Sequence, residues 1–189
     1  MQDFVQRELL HRRSLLADLE GLTAEIAQSA QWIVDALASG NKLLLCGNGG
    51  SAADAQHIAA EFVGRFVRQR RPLPAIALTT DTSILTSIGN DYGFEAVFQR
   101  QVAALARPGD VLIAISTSGS SPNILAAVGE ARRSACKVIG LSGRTGGTLR
   151  EACDLCLVVR SEVTAFIQEM HATIGHIWCA AADAKLVVE

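Results

Sequence analysis

"KLLLCGNGGSAADAQHIAAEF", residues 42 to 62, passes from an apolar run through a glycine-rich break into a stretch with helical spacing. Lys42 to Cys46 reads as a strand and the segment beyond the glycines as a helix, so the passage is a strand–loop–helix unit. The pattern recurs, with short apolar runs at "PAIAL" (74–78), "DVLIAIS" (110–116), "CKVIGLS" (136–142) and "LCLVV" (155–159). Helical stretches lie between them. Strands that read apolar on both faces and alternate with helices predict an α/β fold, a parallel sheet covered on each side. Ligands of such sheets bind at the carboxyl ends of the strands. Function is therefore expected at Gly47 to Ser51 and in the loop after the third strand.

Outward from this unit, positions 1–39 carry apolar residues at helical intervals (Leu15, Leu19, Leu22, Ile26, Ile33, Leu37), and a last helix is expected over roughly 163–187. No repeat or low-complexity linker interrupts the 189 residues, so one domain is expected, with 1–39 as a helical extension packing on it and in oligomer contacts. Hydrophobic residues make up 49%, charged residues 19%, and the formal charge is −2, a balance that suits a soluble globular chain. It offers no basic field for nucleic acid. The start, "MQDFVQRELLHRR", lacks a signal-peptide core, and no apolar stretch is long enough to span a membrane. "RFVRQRR" (65–71) reads as an exposed helix end. The five cysteines are odd in number and scattered. Cys46 and Cys179 read as reduced core residues, and "CDLC" (Cys153, Cys156) lacks the second pair of a zinc knuckle, so a cytoplasmic location is expected.

The third strand leads into "ISTSGSSPNILAA", where Ser116, Thr117, Ser118, Ser120 and Ser121 surround Gly119. Ser121 is placed to cap a helix whose first residue is Pro122. Unpaired N–H groups at a helix start, with hydroxyls added, hold a phosphate without Lys or Arg. A single serine would satisfy a cap. Five hydroxyls exceed that need.

"GNGGSA" (47–52) also fits the dinucleotide pattern G-x-G-x-x-A, but the acidic residue expected some 20 positions on does not come until Asp81, too late. On the helix that follows, Asp54, His57 and Glu61 share one face among small residues. A His and a Glu one turn apart suit chelation or acid–base work. On the last helix Gln168, Ala172 and His176 form a second stripe, while Glu169 and His171 are expected at solvent or at a subunit contact.

Taken together, "CGNGGSAADAQHIAAEFVGRF", "LPAIALTTDTSILTSIGNDYGFE", "STSGSSPNILAA" and "IQEMHATIGHIWC" resemble, in order and over nearly the whole chain, the bacterial phosphoheptose isomerases of the sugar isomerase (SIS) fold. The resemblance implies a flavodoxin-like, three-layer doubly wound sandwich with a five-stranded parallel sheet, and a homotetramer whose active sites form between subunits. It implies conversion of sedoheptulose 7-phosphate to D-glycero-D-manno-heptose 7-phosphate, the first step toward nucleotide-activated heptose for lipopolysaccharide or another glycan. Asn48, Gly49, Gly50, Ser51, Asn90 and Asp91 would contact the sugar, and Ser116, Thr117, Ser118 and Ser121 the phosphate. His57, Glu61, Gln168 and His176 would hold zinc, Gln168 and Glu61 also touching substrate. Glu61 would be the catalytic base and His176 the acid, with coordination shifting as substrate binds, and Asp54 a nearby carboxylate of open role. Phe166 stands where relatives carry Arg or Lys, a departure expected at a subunit contact. Two rivals remain. A related SIS protein binds a replication initiator but lacks the Glu and His at positions 61 and 176; isomerases of other sugar phosphates, such as arabinose 5-phosphate, usually carry extra domains.

Overall fold

The computed structural model describes residues 1–186. Two helices, α1 (Gln2–Glu20) and α2 (Thr23–Ala38), precede the first strand, β1 (Leu43–Cys46). The chain continues through α3 (Gly50–Val63), β2 (Ala75–Ala77), α4 (Thr82–Tyr92), a single 3₁₀ turn (Phe94–Ala96) and α5 (Gln99–Leu105). It ends with β3 (Val111–Ser116), α6 (Pro122–Arg133), β4 (Lys137–Gly143), the short α7 (Leu149–Ala152), β5 (Leu155–Val159) and α8 (Thr164–Leu186). The five strands are all parallel in the order β2-β1-β3-β4-β5. The expected doubly wound sheet is present, and each strand lies within two residues of its apolar run.

Why the strands read as unbroken apolar runs is visible in their packing. On β1, Leu43 and Leu45 enter one core and Leu44 and Cys46 the other; on β3, Val111, Ile113 and Ile115 face the first and Leu112 and Ala114 the second. Alternate side chains of a strand point to opposite faces, so helices on both sides require apolar residues at every position. The first core is closed by Ile33, Phe62, Ile174 and Trp178, the second by Phe98, Val102, Ile124 and Val128. Trp178 is fully buried between α8 and α2, where its Nε1–H donates to Ser29 Oγ at 2.8 Å. Cys46 and Cys179 are buried free thiols, as expected, and burial pushes both thiols up to about 12.

The basic run departs from expectation. α3 ends at Val63, and Arg65 to Arg71 form an irregular segment rather than a helix end. Arg68 and Arg71 are exposed, but the Arg70 side chain is buried and pairs with Asp183 of α8 at 2.8 Å. It also donates to the Glu61 and Phe62 carbonyls at the end of α3, each at 2.8 Å. Burial raises the Asp183 carboxyl, but N–H donors from Arg68 and Val67 and the guanidinium of Arg70 outweigh it and leave the group below its ordinary range. Phe166 is buried within the chain, with the Arg12 guanidinium 4.5 Å from its ring centre. Arg12 also bridges to Glu169, so α1 is fastened to α8 here.

Candidate active site

The sheet order places its switch point between β1 and β3, where one connection leaves for β2 and the other for β4. The loops after these two strands diverge and open a crevice. The first loop turns tightly: a Cβ on Gly47 would collide with the Ser51 backbone, and Gly49 adopts φ +56. Ser51 N–H and Ala52 N–H bond back to the carbonyls of Asn48 and Gly49, each at 3.0 Å, and α3 begins. Gly50 has a different reason. A Cβ there would lie 2.5 Å from Gln168 Nε2, so the missing side chain lets α8 lay Gln168 across the start of α3.

In the serine loop, Ser121 holds the N-cap position of α6 and Pro122 the first helical one, as expected, but the Ser121 hydroxyl caps nothing. It meets Ser116 Oγ at 2.9 Å, with Ser118 Oγ a further neighbour of Ser116 at 3.4 Å. These hydroxyls satisfy one another with contacts that an anion's oxygens can replace.

The two loops and α8 enclose a cavity of about 300 Å³ lined by Asn48, Gly49, Gly50, Ser51, Ile115, Ser116, Thr117, Ser121, Thr164 and Gln168. Gly50 and Ser51 open α3, Ser121 precedes α6, and Thr164 opens α8. Three helix N-termini thus border one cavity, each carrying unpaired N–H groups and the positive end of its dipole. Among the described residues lining it, none is Lys or Arg. Helix dipoles and hydroxyls in this arrangement suit an anion without a cationic side chain. The sequence reading anticipated two of these termini; Thr164 was missed, because an isolated threonine after "SEV" carries no glycine or serine pattern.

Further along, α3 and α8 come into direct contact. Gly175 is the cause: a Cβ on it would stand 2.5 Å from Ile58 Cδ1, so only glycine lets the two helices meet there. Beside this contact His57 Nε2 and His176 Nε2 lie 2.9 Å apart, their rings edge to face at 72°. Glu61 Oε1 is 3.8 Å from His57 Nε2, and the Phe66 ring flanks His176 with centroids 5.4 Å apart. Facing nitrogens at this distance are within hydrogen-bond reach, the donor and the acceptor being set by the tautomers. Asp54 Oδ2 is buried without a hydrogen-bond partner, and burial raises its carboxyl while nearby His57 pulls it back.

The implied residues therefore fall into three places. Asn48, Gly49, Gly50, Ser51, Ser116, Thr117, Ser121 and Gln168 line the cavity, with Ser118 one residue beyond it. His57, Glu61 and His176 share the cleft between α3 and α8. Asn90 and Asp91 do neither within this chain: they lie at the exposed end of α4, bonded to each other at 2.8 Å. Among the described residues no three His, Cys, Asp or Glu side chains already form a metal-holding group. The donor types are nonetheless suitable, because two imidazoles and a carboxylate are ligands zinc accepts. Gln168 sits on the same helix as His176, roughly 12 Å back along its axis. The expectation for His171 is overturned: it is fully buried, and Nε2 contacts the Ser142 carbonyl at 3.0 Å.

Comparison with known proteins agrees with this geometry. The SIS domain family matches residues 11–143. Phosphoheptose isomerase of a Nitratiruptor species is 55% identical over 97% of this chain and 98% of its own length. The phosphoheptose isomerase of Geobacter sulfurreducens is 56% identical over 98% of this chain and 99% of its own. Among solved structures, phosphoheptose isomerase from Francisella tularensis superposes with a TM-score of 0.93 at 41% identity, covering 97% of this chain and 98% of that one. The protein of the same name from Neisseria gonorrhoeae gives 0.91 at 44% identity over the same shares. With the family match, the sequence identity over nearly the whole length and the matching fold, this chain belongs to the phosphoheptose isomerases of the SIS domain family.

Proposed function

We propose that this chain is an aldose–ketose isomerase that converts sedoheptulose 7-phosphate to D-glycero-D-manno-heptose 7-phosphate, feeding heptose biosynthesis. The observation that carries the reading is the pairing of one cavity bordered by three helix N-termini with a carboxylate and an imidazole further along two of those helices. From Ser51 to His57 the rise along α3 is roughly 9 Å. That interval suits a sugar chain held by its phosphate at one end and reacting at the other.

The ketose-to-aldose change moves a proton from C1 to C2 and a second proton from O1 to O2. Glu61 is proposed to take the C1 proton and return it to C2 through an enediol. His176, with its Nε2 in the same cleft, is proposed to carry the proton between the oxygens. An imidazole is suited to both directions of that transfer near neutral pH. The N–H groups and hydroxyls of the two loops hold the phosphate and fix the reacting carbons against these groups.

We also propose that His57, Glu61, Gln168 and His176 hold zinc. Bound there, the metal supplies Lewis-acid polarisation of the carbonyl. The donor set supports this, and the His57 and His176 nitrogens already face each other in the cleft. A single domain, a cytoplasmic location and a homotetramer complete the reading. In the tetramer Asn90 and Asp91 are proposed to reach a neighbour's cavity, which accounts for their position away from their own.

Glu61→Gln tests the assignment. With folding intact and zinc content measured by metal analysis before and after chelation, turnover of sedoheptulose 7-phosphate is expected to fall about 10²–10⁴-fold. Protection by phosphate against thermal unfolding is expected to persist. Near-normal turnover in this variant would remove Glu61 from the chemistry.

A further inference from the structure

The loop after β1 and the helix after β3 are joined by one reciprocal contact. Asn48 Nδ2–H donates to Asn123 Oδ1 and Asn123 Nδ2–H donates to Asn48 Oδ1, each at 2.9 Å. Asn48 lies in the turn that leads to α3. Asn123 is the second residue of α6 and only 3% exposed. On one side of the pair lies the anion cavity, which Asn48 and Ser121 both line; on the other lies a separate hollow of about 250 Å³ reached by Phe94 and Glu95. The two amides form part of the wall between them.

We infer that Asn123 is a positioning residue for the phosphate, acting through Asn48. This inference rests on the sugar-phosphate reading above. The anion's ligands come from two loops with different parents: backbone N–H groups of the Asn48–Gly50 turn on β1, hydroxyls of Ser116 and Ser121 on β3. The β1–β3 pairing brings the two loops alongside each other, but Gly49 adds no side chain to hold the turn against the serines. The amide pair ties the turn to α6 directly. Each amide offers one oxygen and two N–H groups, and the exchange occupies the oxygen and one N–H of each. The Asn48 carboxamide therefore works as a clamp, with one N–H left over for the cavity it lines, and the clamp's service to the phosphate comes through the Asn48 main chain. A ligand site held before binding gives up less freedom on binding, so the clamp acts on affinity more than on the proton transfers some distance away.

The test compares Asn48→Ala, Asn123→Ala and the double variant, with KM and kcat for sedoheptulose 7-phosphate, competition by inorganic phosphate, and thermal unfolding. Asn123→Ala is expected to raise KM and the phosphate inhibition constant about tenfold, the worth of one to two hydrogen bonds. Its kcat should change less than about threefold, and the double variant should be no worse than either single one. A drop in unfolding temperature with KM and phosphate affinity unchanged overturns the inference, as do additive losses in the double variant. If Asn123→Ala does not fold, Asn123→Leu, which keeps the branching of the side chain, is measured in its place; failure of both assigns Asn123 to the core alone and also overturns it. Phosphate affinity that depends on Asn123 in a protein without heptose isomerase activity would support the clamp while refuting the isomerase.

Discussion

His171 shows how one buried side chain couples stability to pH. It is fully buried with Nδ1 unpartnered, and burial lowers its pKa to about 4, while the contact with the Ser142 carbonyl partly restores it. The folded protein therefore keeps this imidazole neutral where the unfolded chain, titrating near 6.5, takes up a proton. Its contribution is complete above about 6.5 and is lost as pH falls toward about 4, on the order of 3 kcal/mol in all. Denaturant unfolding from pH 7.5 to 4.5 should show this fall, and His171→Gln, which retains a donor for Ser142 without titrating, should flatten it. An unchanged slope in the variant would assign the acid sensitivity elsewhere. Neither this burial nor the Arg70–Asp183 pair was legible in the sequence. α8 packs against α2 and α3 as well as β4, so no solvent face marks His171 as different from its neighbours. Arg70 finds its carboxylate 113 positions away, beyond the reach of any local pattern.

The helices and strands themselves were far more legible, since a strand buried on both faces has to be apolar throughout. The separation between α3 and α8 was not. It depends on Gly175, which has no neighbouring turn signal and sits inside a helix, where glycine ordinarily costs about 1 kcal/mol. Only the packed structure shows that Ile58 fills the space a side chain would take. Gly175→Ala should force the helices apart and draw His176 from His57 and Glu61. We expect kcat to fall at least tenfold, since a displacement near 1 Å can cost on the order of 10²-fold, with KM changed less. Adding Ile58→Ala removes the two side-chain atoms that the new methyl meets and should recover much of the loss. Failure of the second substitution to help would mean that the closeness of these helices is not what Gly175 provides. The density of hydroxyls in the serine loop was legible in the sequence, but the use of Ser121, bonding Ser116 instead of capping, needed coordinates.

As a complete fold, the chain leaves apolar surface uncovered. No residue of α4 is buried, Tyr92 at its end and Phe94 just beyond it are 59% and 62% exposed, and Leu9, Leu10 and Leu16 of α1 face outward. Arg100 stacks on Tyr92 at 3.9 Å, holding that ring in place on the surface. Patches of this kind on opposite sides are what a closed oligomer covers. Light scattering should give a mass near four times 20.0 kDa. Tyr92→Glu should lower both the mass and the turnover, because Asn90 and Asp91 stand on the same helix end. A fully active monomer would refute the shared site. Here the sequence was informative only through resemblance; the placement of Asn90 and Asp91 away from their own cavity has no signature in spacing or composition.

The pairing of β1 with β3 carries a last consequence. Leu43 to Cys46 align with Val111 to Ala114, and the anion's two half-sites hang from the ends of these strands. A slip of one position would slide one loop about 3.3 Å past the other and exchange the slipped strand's side chains between the two cores. The register of two buried strands therefore decides whether the glycine turn and the serine loop face each other across one crevice at all.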